Sequence, residues 1–438
     1  MGFFNVRNTL MTHNELLIKG GHVVDPAAGI DDRADIYIKD GTVKAISRDI
    51  QPGNTVKVID ARHRHVIPGL IDCHTHLREP GLEYKEDIRT GSRAAAAGGY
   101  TTLICEPNTL PPIDSLEMVE LLMERVRQKS IVNIYTKACI TRKLLGEELT
   151  DIDKLATDKR VRALSDDGNP VYYESIMEKA CELSAKNNLI ISPHCEDSQS
   201  FLDKAKKNAR VTHFPGKAFC HETDFIIREI RCTEQAGGRL HVSHISFKSS
   251  ADVIQQARKR RRAEITCEVT PHHLVLDNCC KDLEDNPPNV NPPLRSPEDK
   301  ESMQNNLVNG TIDVIATDHA PHTNEEKKKG APGFVGLETA LGIILTKFVH
   351  PGILSLKDVV LKMSANPARI FRIDGGSLAV GMPANIAIID LNKEWTVDAE
   401  AFHSKGKNSP FLGWKLLGKA TTTIVGGKVV LDNGQITW

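Results

Sequence analysis

Residues 70–81 read LIDCHTHLREPG, an apolar run that closes on two histidines one residue apart with an arginine two further on. Side chains of a strand alternate faces, so His74, His76 and Arg78 are expected to share one. Two imidazoles and a guanidinium crowded together are costly to desolvate unless an anion or a metal ion lies between them. Polar groups close other β-rich runs as well. Glu106-Pro107-Asn108-Thr109 follows the second run, and Ser165-Asp166-Asp167-Gly168 the fourth. Pro193-His194-Cys195-Glu196, Ser243-His244-Ile245-Ser246 and Thr270-Pro271-His272-His273 follow the next three, and Thr317-Asp318-His319-Ala320-Pro321-His322 the last. Any one of these histidines alone would read as a satisfied core or loop residue, and a lone Asp before a His as a turn or cap. Their joint placement reads as a metal centre. Imidazole nitrogen and carboxylate oxygen suit zinc and similar divalent ions. Six candidate ligands (His74, His76, Asp167, His194, His244 and Asp318) exceed what one tetrahedral ion takes. They suit two ions sharing a carboxylate and a hydroxide able to attack an amide or ester carbonyl. Arg78, just beyond, is placed to fork onto a substrate carboxylate.

Strands are expected at Leu70–His74, Tyr100–Cys105, Ile131–Ile140, Arg160–Leu164, Leu189–Ser192, Leu240–Ser243, Glu264–Val269 and Ile312–Ala316. Between them lie amphipathic stretches such as SLEMVELLMERVRQ, PVYYESIMEKACELSAK, ETDFIIREIRCTEQAG and SPEDKESMQNNLVNG. Strand–helix alternation over about 250 residues predicts a (β/α)8 TIM barrel, whose chemistry sits at the C-terminal ends of its strands. An open doubly wound sheet is the runner-up, but no Gly-rich phosphate loop follows the first strand. The two chain ends differ from the middle. LLIKGGHVVDPAAG and ADIYIKDGTVKAIS alternate apolar and polar residues around a Lys-Asp-Gly turn, and ANIAIIDLN and ATTTIVGGKVVL do the same near Asp432-Asn433-Gly434. Neither end has enough strands to stand alone. They are expected to pair into one small β-sandwich domain, residues 1–67 with 373–438, beside a barrel of residues 68–372.

The 438 residues carry 56 basic and 57 acidic side chains, a net charge of -1, so no global field draws the chain to nucleic acid or membrane. No apolar run approaches a spanning helix and no signal pattern opens the chain; residues 1–12 read as a leader or frayed start. Ten scattered cysteines, with Cys279-Cys280 the only close pair, read as reduced thiols of a cytoplasmic protein. The basic run Arg258–Arg262 suits a helix C-terminus before a strand better than a nucleic-acid patch. Glu325–Lys329 reads as a charged loop, with a mobile lid as its other reading, and the Asn-Pro-Pro runs at Asn286 and Asn291 as a stiff turn, Asn291 facing the site.

In order, the motifs DCHTHLREPG, EPNT, SDDG, PHCED, HVSHIS, VTPHH, NPPLR, ATDHAPH and GFVGLET resemble the dihydroorotases of the amidohydrolase superfamily, in their long bacterial type, from about residue 14 to the C-terminus. The resemblance implies reversible closure of N-carbamoyl-L-aspartate to L-dihydroorotate in pyrimidine (UMP) biosynthesis, with one or two Zn2+ per chain. His74, His76 and Asp318 resemble the ligands of one metal, and His194 and His244 those of the other. Asp167 takes the bridging place that a carboxylated lysine fills in many relatives, with Asp166 as the alternative. Arg78, Asn108, Asn291 and His322 resemble substrate-holding residues, helped by backbone groups at Pro332 and Gly333, and Asp318 resembles the catalytic base. The resemblance also implies a homodimer and leaves an association with aspartate transcarbamoylase open. Two departures stand out: Glu106 replaces a usual apolar Met, and the loop at Ala331-Pro332-Gly333 looks short. Allantoinase and dihydropyrimidinase share the fold but act on rings without this carboxylate, leaving Arg78 no work. A silent partner of a transcarbamoylase would have lost ligands, and all six positions are filled.

Overall fold

The computed structural model describes residues 15–53, 56–196, 222–282 and 288–437. The N-terminal strands are β1 (Glu15–Asp25), β2 (Ile30–Lys39), β3 (Thr42–Ser47), β4 (Lys57–Asp60) and β5 (His65–Pro68). Asp40 and Gly41, at φ 50° and 73°, form the two-residue turn between β2 and β3 whose twist suits a hairpin. Eight strands then pair in parallel and in chain order: β6 (Leu70–Thr75), β7 (Tyr100–Cys105), β8 (Asn133–Ala138), β9 (Val161–Leu164), β10 (Ile190–Ile191), β11 (Arg239–Val242), β12 (Glu264–Val269) and β13 (Val314–Ile315). The chain ends with β14 (Ile386–Thr396), β15 (Lys415–Val425), β16 (Lys428–Asp432) and β17 (Gln435–Ile436).

Each barrel strand lies where alternation placed it, although β8, β10 and β13 are shorter than expected. The cause is visible after β8, where the Ile140 N–H goes to the Asp166 carboxylate at 2.7 Å rather than to a ladder. Strands β6 and β7 are buried along their whole length, as parallel strands covered on both faces must be. The sheet curls nearly shut: Thr75 bridges to His319, the His76 N–H donates to the His319 carbonyl at 2.9 Å, and the Thr317 N–H donates to Asp72. Ile71, Ile104, Ala163, Ile190 and Val314 fill the lower interior against Phe371 and Ile373. Arg239, the first residue of β11, donates to the Ile370 carbonyl at 2.6 Å, so this plug closes the N-terminal end. Only the C-terminal end is left for chemistry.

The two chain ends form one nine-stranded sheet, ordered β17-β16-β15-β14-β5-β1-β2-β3 with β4 on β1. Its central seam is the antiparallel pairing of β5 with β14, residues 322 apart in sequence being joined at Ile388 and Val66. Thr423 ties the sheet to the barrel by donating to the Ala96 carbonyl at 2.8 Å.

One loop reading changes. Residues 325–329 are not a loop: Asn324–Lys328 is a short helix, because Thr323 and Glu326 form a reciprocal capping box at its start. The basic run ends the helix Lys248–Arg260 as expected, and its first residue, Arg258, donates to the Ile265 and Thr311 carbonyls and pairs with Asp313. Asn286 and residues 1–12 lie outside the described residues. Among the described residues no helix is long and apolar enough to cross a membrane.

Gly81 sits at φ 90°, and a Cβ there would lie 1.7 Å from the Leu110 carbonyl oxygen. Gly81→Ala is expected to cost about 1–3 kcal/mol through left-handed strain and that clash. Equilibrium unfolding checks it, and an unchanged midpoint would contradict the close approach.

Candidate metal centre and active site

Strand β6 does not deliver its groups by plain alternation. Asp72 pairs with Leu103 and Thr75 with Cys105, three steps against two, so a bulge lies between them. The bulge brings both Cys73 and His74 to the barrel interior, where each contacts Glu268 of β12. The strand ends at Thr75, so Arg78 reaches the site through a turn at φ 60° and not by sharing a strand face with His74. His244 after β11 (φ 31°) and Asp318 after β13 (φ 49°) also adopt left-handed backbone, a conformation costly outside glycine and common at functional sites.

All six expected ligands converge. His74 Nε2 lies 3.4 Å from Asp167 Oδ1 and 3.7 Å from Asp318 Oδ1. His76 Nε2 lies 3.1 Å from Asp318 Oδ1 and 3.6 Å from Asp167 Oδ2. His194 Nδ1 is 3.3 Å from Asp167 Oδ1 and 3.0 Å from His244 Nε2. Asp167 thus turns one oxygen to His74, His194 and His244 and the other to His76. Two buried donor groups result, His74 with His76 and Asp318, and His74 with Asp167 and His244. Asp166 faces elsewhere, accepting from the Ile140 and Thr141 N–H groups.

A cavity of about 200 Å³ opens above these groups, and Arg78, Asn108, Asn291, His322, Pro332 and Gly333 all line it. Arg78 is 8% exposed, donates to the Pro321 carbonyl at 3.3 Å and lies 3.4 Å from His322 Nε2. Burial, with Arg78 beside it, pushes the His322 imidazole down to about 3, so the ring is neutral. Asn108 accepts from His76 Nδ1–H at 3.0 Å and donates to Asp167 Oδ2 at 2.9 Å, so it orients two of the metal-competent groups as well as lining the cavity. The Gly333 backbone is already engaged: its N–H donates to Asn289, and its carbonyl accepts from Lys327 and Asn408. His272 and His273 sit in the short helix Pro271–Val275 behind the centre, His273 held by Thr270 and Pro292.

Sequence reading missed the groups beneath the centre. The Glu268 carboxylate accepts from His74 Nδ1–H at 2.7 Å, His241 Nε2–H at 3.1 Å, Cys73 at 2.9 Å and the His244 N–H at 3.3 Å. That first bond fixes the tautomer of His74, turning the Nε2 lone pair toward Asp167 and Asp318. The same carboxylate positions the backbone of a second candidate ligand, His244. Glu106 finds its partner in Lys137 of β8, an ion pair with both side chains fully buried. Burial opposes the Lys137 charge, but Glu106 and Glu268 outweigh it and hold the amine above its ordinary range. His194 Nε2–H reaches Glu196 at 3.2 Å. A signal was present, because a Glu in EITCEV or a Lys in NIYTKA is anomalous inside parallel strands that otherwise read apolar.

The charges suit a cation. Burial alone would protonate Asp167, yet the facing imidazoles of His194, His244 and His74 hold it well below the ordinary carboxylate range. Burial works against a charge on His194, but Asp167 and Glu196 outweigh it and lift the ring to about 10. Without a metal the imidazoles must therefore take up protons to balance the carboxylates. His74 Nε2 is buried with no hydrogen-bond partner, an orphaned nitrogen aimed among carboxylates. Nitrogen and oxygen donors so placed fit divalent cations.

A near-closed parallel barrel with this centre at its C-terminal mouth defines the protein as a cyclic amidohydrolase. Among solved structures it resembles the L-hydantoinase (dihydropyrimidinase) of Arthrobacter aurescens, with TM-score 0.85 and 28% identity over 97% of each chain. The dihydropyrimidinase of Brevibacillus agri shares the fold at TM-score 0.84 and 24% identity, covering 97% of this chain and 96% of that one. A "Dihydro-orotase-like" family model matches residues 63–250. The dihydroorotase of Acetivibrio thermocellus is 42% identical over 95% of this chain and 99% of its own length, and that of Citrifermentans bemidjiense 43% identical over the same shares. The chain belongs to the dihydroorotase family.

Two outcomes test the centre. With His194 protonated up to about pH 10, an incoming ion displaces protons at pH 7, so affinity for Zn2+ rises with pH across the neutral range. Calorimetric titration of metal-free protein in buffers of different ionisation heat should show that release, and identical heats would contradict it. Glu268→Gln should weaken Zn2+ binding about 10–100-fold through loss of its hold on His74; unchanged affinity in the folded variant would remove Glu268 from the centre.

Proposed function

We propose that this site interconverts N-carbamoyl-L-aspartate and L-dihydroorotate, with Arg78 as the residue that selects a carboxylate-bearing ring. The observation carrying this reading is the state of Arg78: a buried guanidinium lining the cavity, held by a carbonyl and a neutral imidazole, with no carboxylate paired to it among the described residues. A buried cation without an anion is costly, and a planar carboxylate matches its fork. The substrate α-carboxylate supplies that anion. A ring lacking it, as in a hydantoin or dihydrouracil, would leave the charge unmet.

His74, His76, Asp167, His194, His244 and Asp318 would hold the metal, with zinc the ion this donor set suits, one or two per chain. Bound cations would supply Lewis acidity toward the ring carbonyl and lower the pKa of a water. The chain's own groups do the rest. Arg78 and His322 fix the carboxylate end, while Asn108 orients His76 and Asp167 beneath the ring. Burial would raise the Asp318 pKa, but His76, with His74 and His244 nearby, keeps it well below the ordinary range, so it is ionised at neutral pH and able to act as base. In hydrolysis the ring C–N bond breaks and a C–O bond forms to the oxygen of water. Asp318 takes the water's proton and hands it to the departing nitrogen; closure runs the same transfers in reverse.

Purified protein assayed on dihydroorotate, allantoin and dihydrouracil, with metal content measured on the same sample, tests the reading. Turnover of dihydroorotate alone is expected, and preference for either other ring would overturn it. Asp318→Asn should lower kcat about 10²–10⁴-fold, and near-normal turnover would remove it as base. Arg78→Lys should raise KM about tenfold or more with a smaller change in kcat, because Lys lacks the bidentate fork. An unchanged KM would take Arg78 out of the substrate contact.

A further inference from the structure

Glu106 follows β7 directly, and its side chain is fully buried against Lys137. Lys137 is in turn satisfied by Ser192 Oγ at 2.9 Å, which lies 3.1 Å from Ser243 Oγ. An ion pair needed only for folding would be sealed in by such partners, yet this carboxylate also faces the site. Glu106 Oε1 is 3.6 Å from His74 Nε2, and Glu106 Oε2 is buried with no hydrogen-bond partner. The neutral imidazole of His74 gives its one N–H to Glu268, so its Nε2 then presents a lone pair to the Glu106 carboxylate. With His74 neutral, as a metal ligand must be, two electron-rich atoms face each other across buried space with no hydrogen between them. A cation between them removes the conflict. The separation fits one: donors about 2.1 Å from a tetrahedral ion stand about 3.4 Å apart, and His74 Nε2 lies 3.4 Å from Asp167 Oδ1 and 3.6 Å from Glu106 Oε1.

We propose that Glu106 is a seventh donor of the metal centre, facing the ion held by His74 directly or through one water, and that Lys137 is the fixed cation that holds it there. Lys137 then has a second consequence. Its charge offsets that of Glu106, so the additional carboxylate brings contact with the ion without adding net charge to a centre already rich in anions. The inference rests on the metal centre of the preceding section and is independent of which ring is turned over.

The double variant Glu106→Met/Lys137→Leu isolates the contact. It alters no net charge, so distant Coulomb effects largely cancel, and replacing a buried ion pair by apolar groups of similar size is commonly tolerated. Metal-free protein, wild type and variant, would be titrated with Co2+ and followed by visible absorption, with thermal melting of the metal-free forms as the folding control. A folded variant that binds Co2+ at least tenfold more weakly, or one ion fewer, with a shifted absorption band, supports the proposal. Equal stoichiometry, affinity and spectrum in a folded variant overturn it. Should the variant not fold, a crystal structure of the metal-loaded wild type decides. A Glu106 oxygen at about 2.0–2.2 Å from an ion, or joined to it by one water, supports the assignment, and a carboxylate contacting only Lys137 overturns it. A wild type that binds no Co2+ overturns both this assignment and the metal centre, whereas Co2+ bound without Glu106 overturns this one alone.

Discussion

Burial of charge governs this protein. Ten ionisable side chains meet at the barrel mouth: His74, His76, Arg78, Glu106, Lys137, Asp167, His194, His244, Glu268 and Asp318, none more than 8% exposed. Removing so many charges from water is far more costly than any single contact can offset, unless each charge is matched. The chain matches some internally, Lys137 with Glu106 and the imidazoles with Glu268 and Asp167. Left unmatched are His74 Nε2 below and the Arg78 guanidinium above. The site is therefore defined by what its own residues leave uncompensated.

The rest of the architecture serves that arrangement. Eight strands from distant parts of the chain bring their polar ends to one mouth, while Phe371 and Ile373 close the other end of the barrel. The bulge in β6 lets two adjacent residues, Cys73 and His74, reach the same carboxylate. The sheet made from the chain ends also reaches the site through the segment between β14 and β15. In that segment Asn408 donates to the Gly333 carbonyl at 3.0 Å, and the Val335 N–H donates to the Asn408 carbonyl. Lys327 clamps the same rim by donating to the Ala331 and Gly333 carbonyls, each at 2.8 Å. The loop at Ala331-Pro332-Gly333 is thereby tied from two sides, one of them more than 70 residues away in sequence.

The six buried donors and the groups above them share the connections at one end of the barrel. Of the donors only His74 lies within a strand; the other five follow the ends of β6, β9, β10, β11 and β13, and Arg78 and His322 stand in the same connections after β6 and β13. The hydantoinases share this scaffold at 24–28% identity.

Much was legible in the sequence. Barrel strands and their order follow from apolar runs separated by amphipathic helices, because local periodicity reports burial on one face or two. The six candidate ligands were legible for a related reason: a polar residue closing an apolar strand is a local event, and its recurrence marks one end of the barrel. The fold alone decided how the groups meet. That Asp167 and not Asp166 faces the histidines depends on which of two adjacent side chains the loop after β9 turns inward. That Arg78 arrives through a positive-φ turn, that Glu268 fixes the tautomer of His74, and that Lys137 answers Glu106 are contacts between strands far apart in sequence. Sequence determined which groups exist and on which strand end each stands, because secondary structure is written in short-range pattern. Only tertiary structure decided which charges neutralise one another, because electrostatic pairing depends on distance in space, and the barrel alone sets that distance.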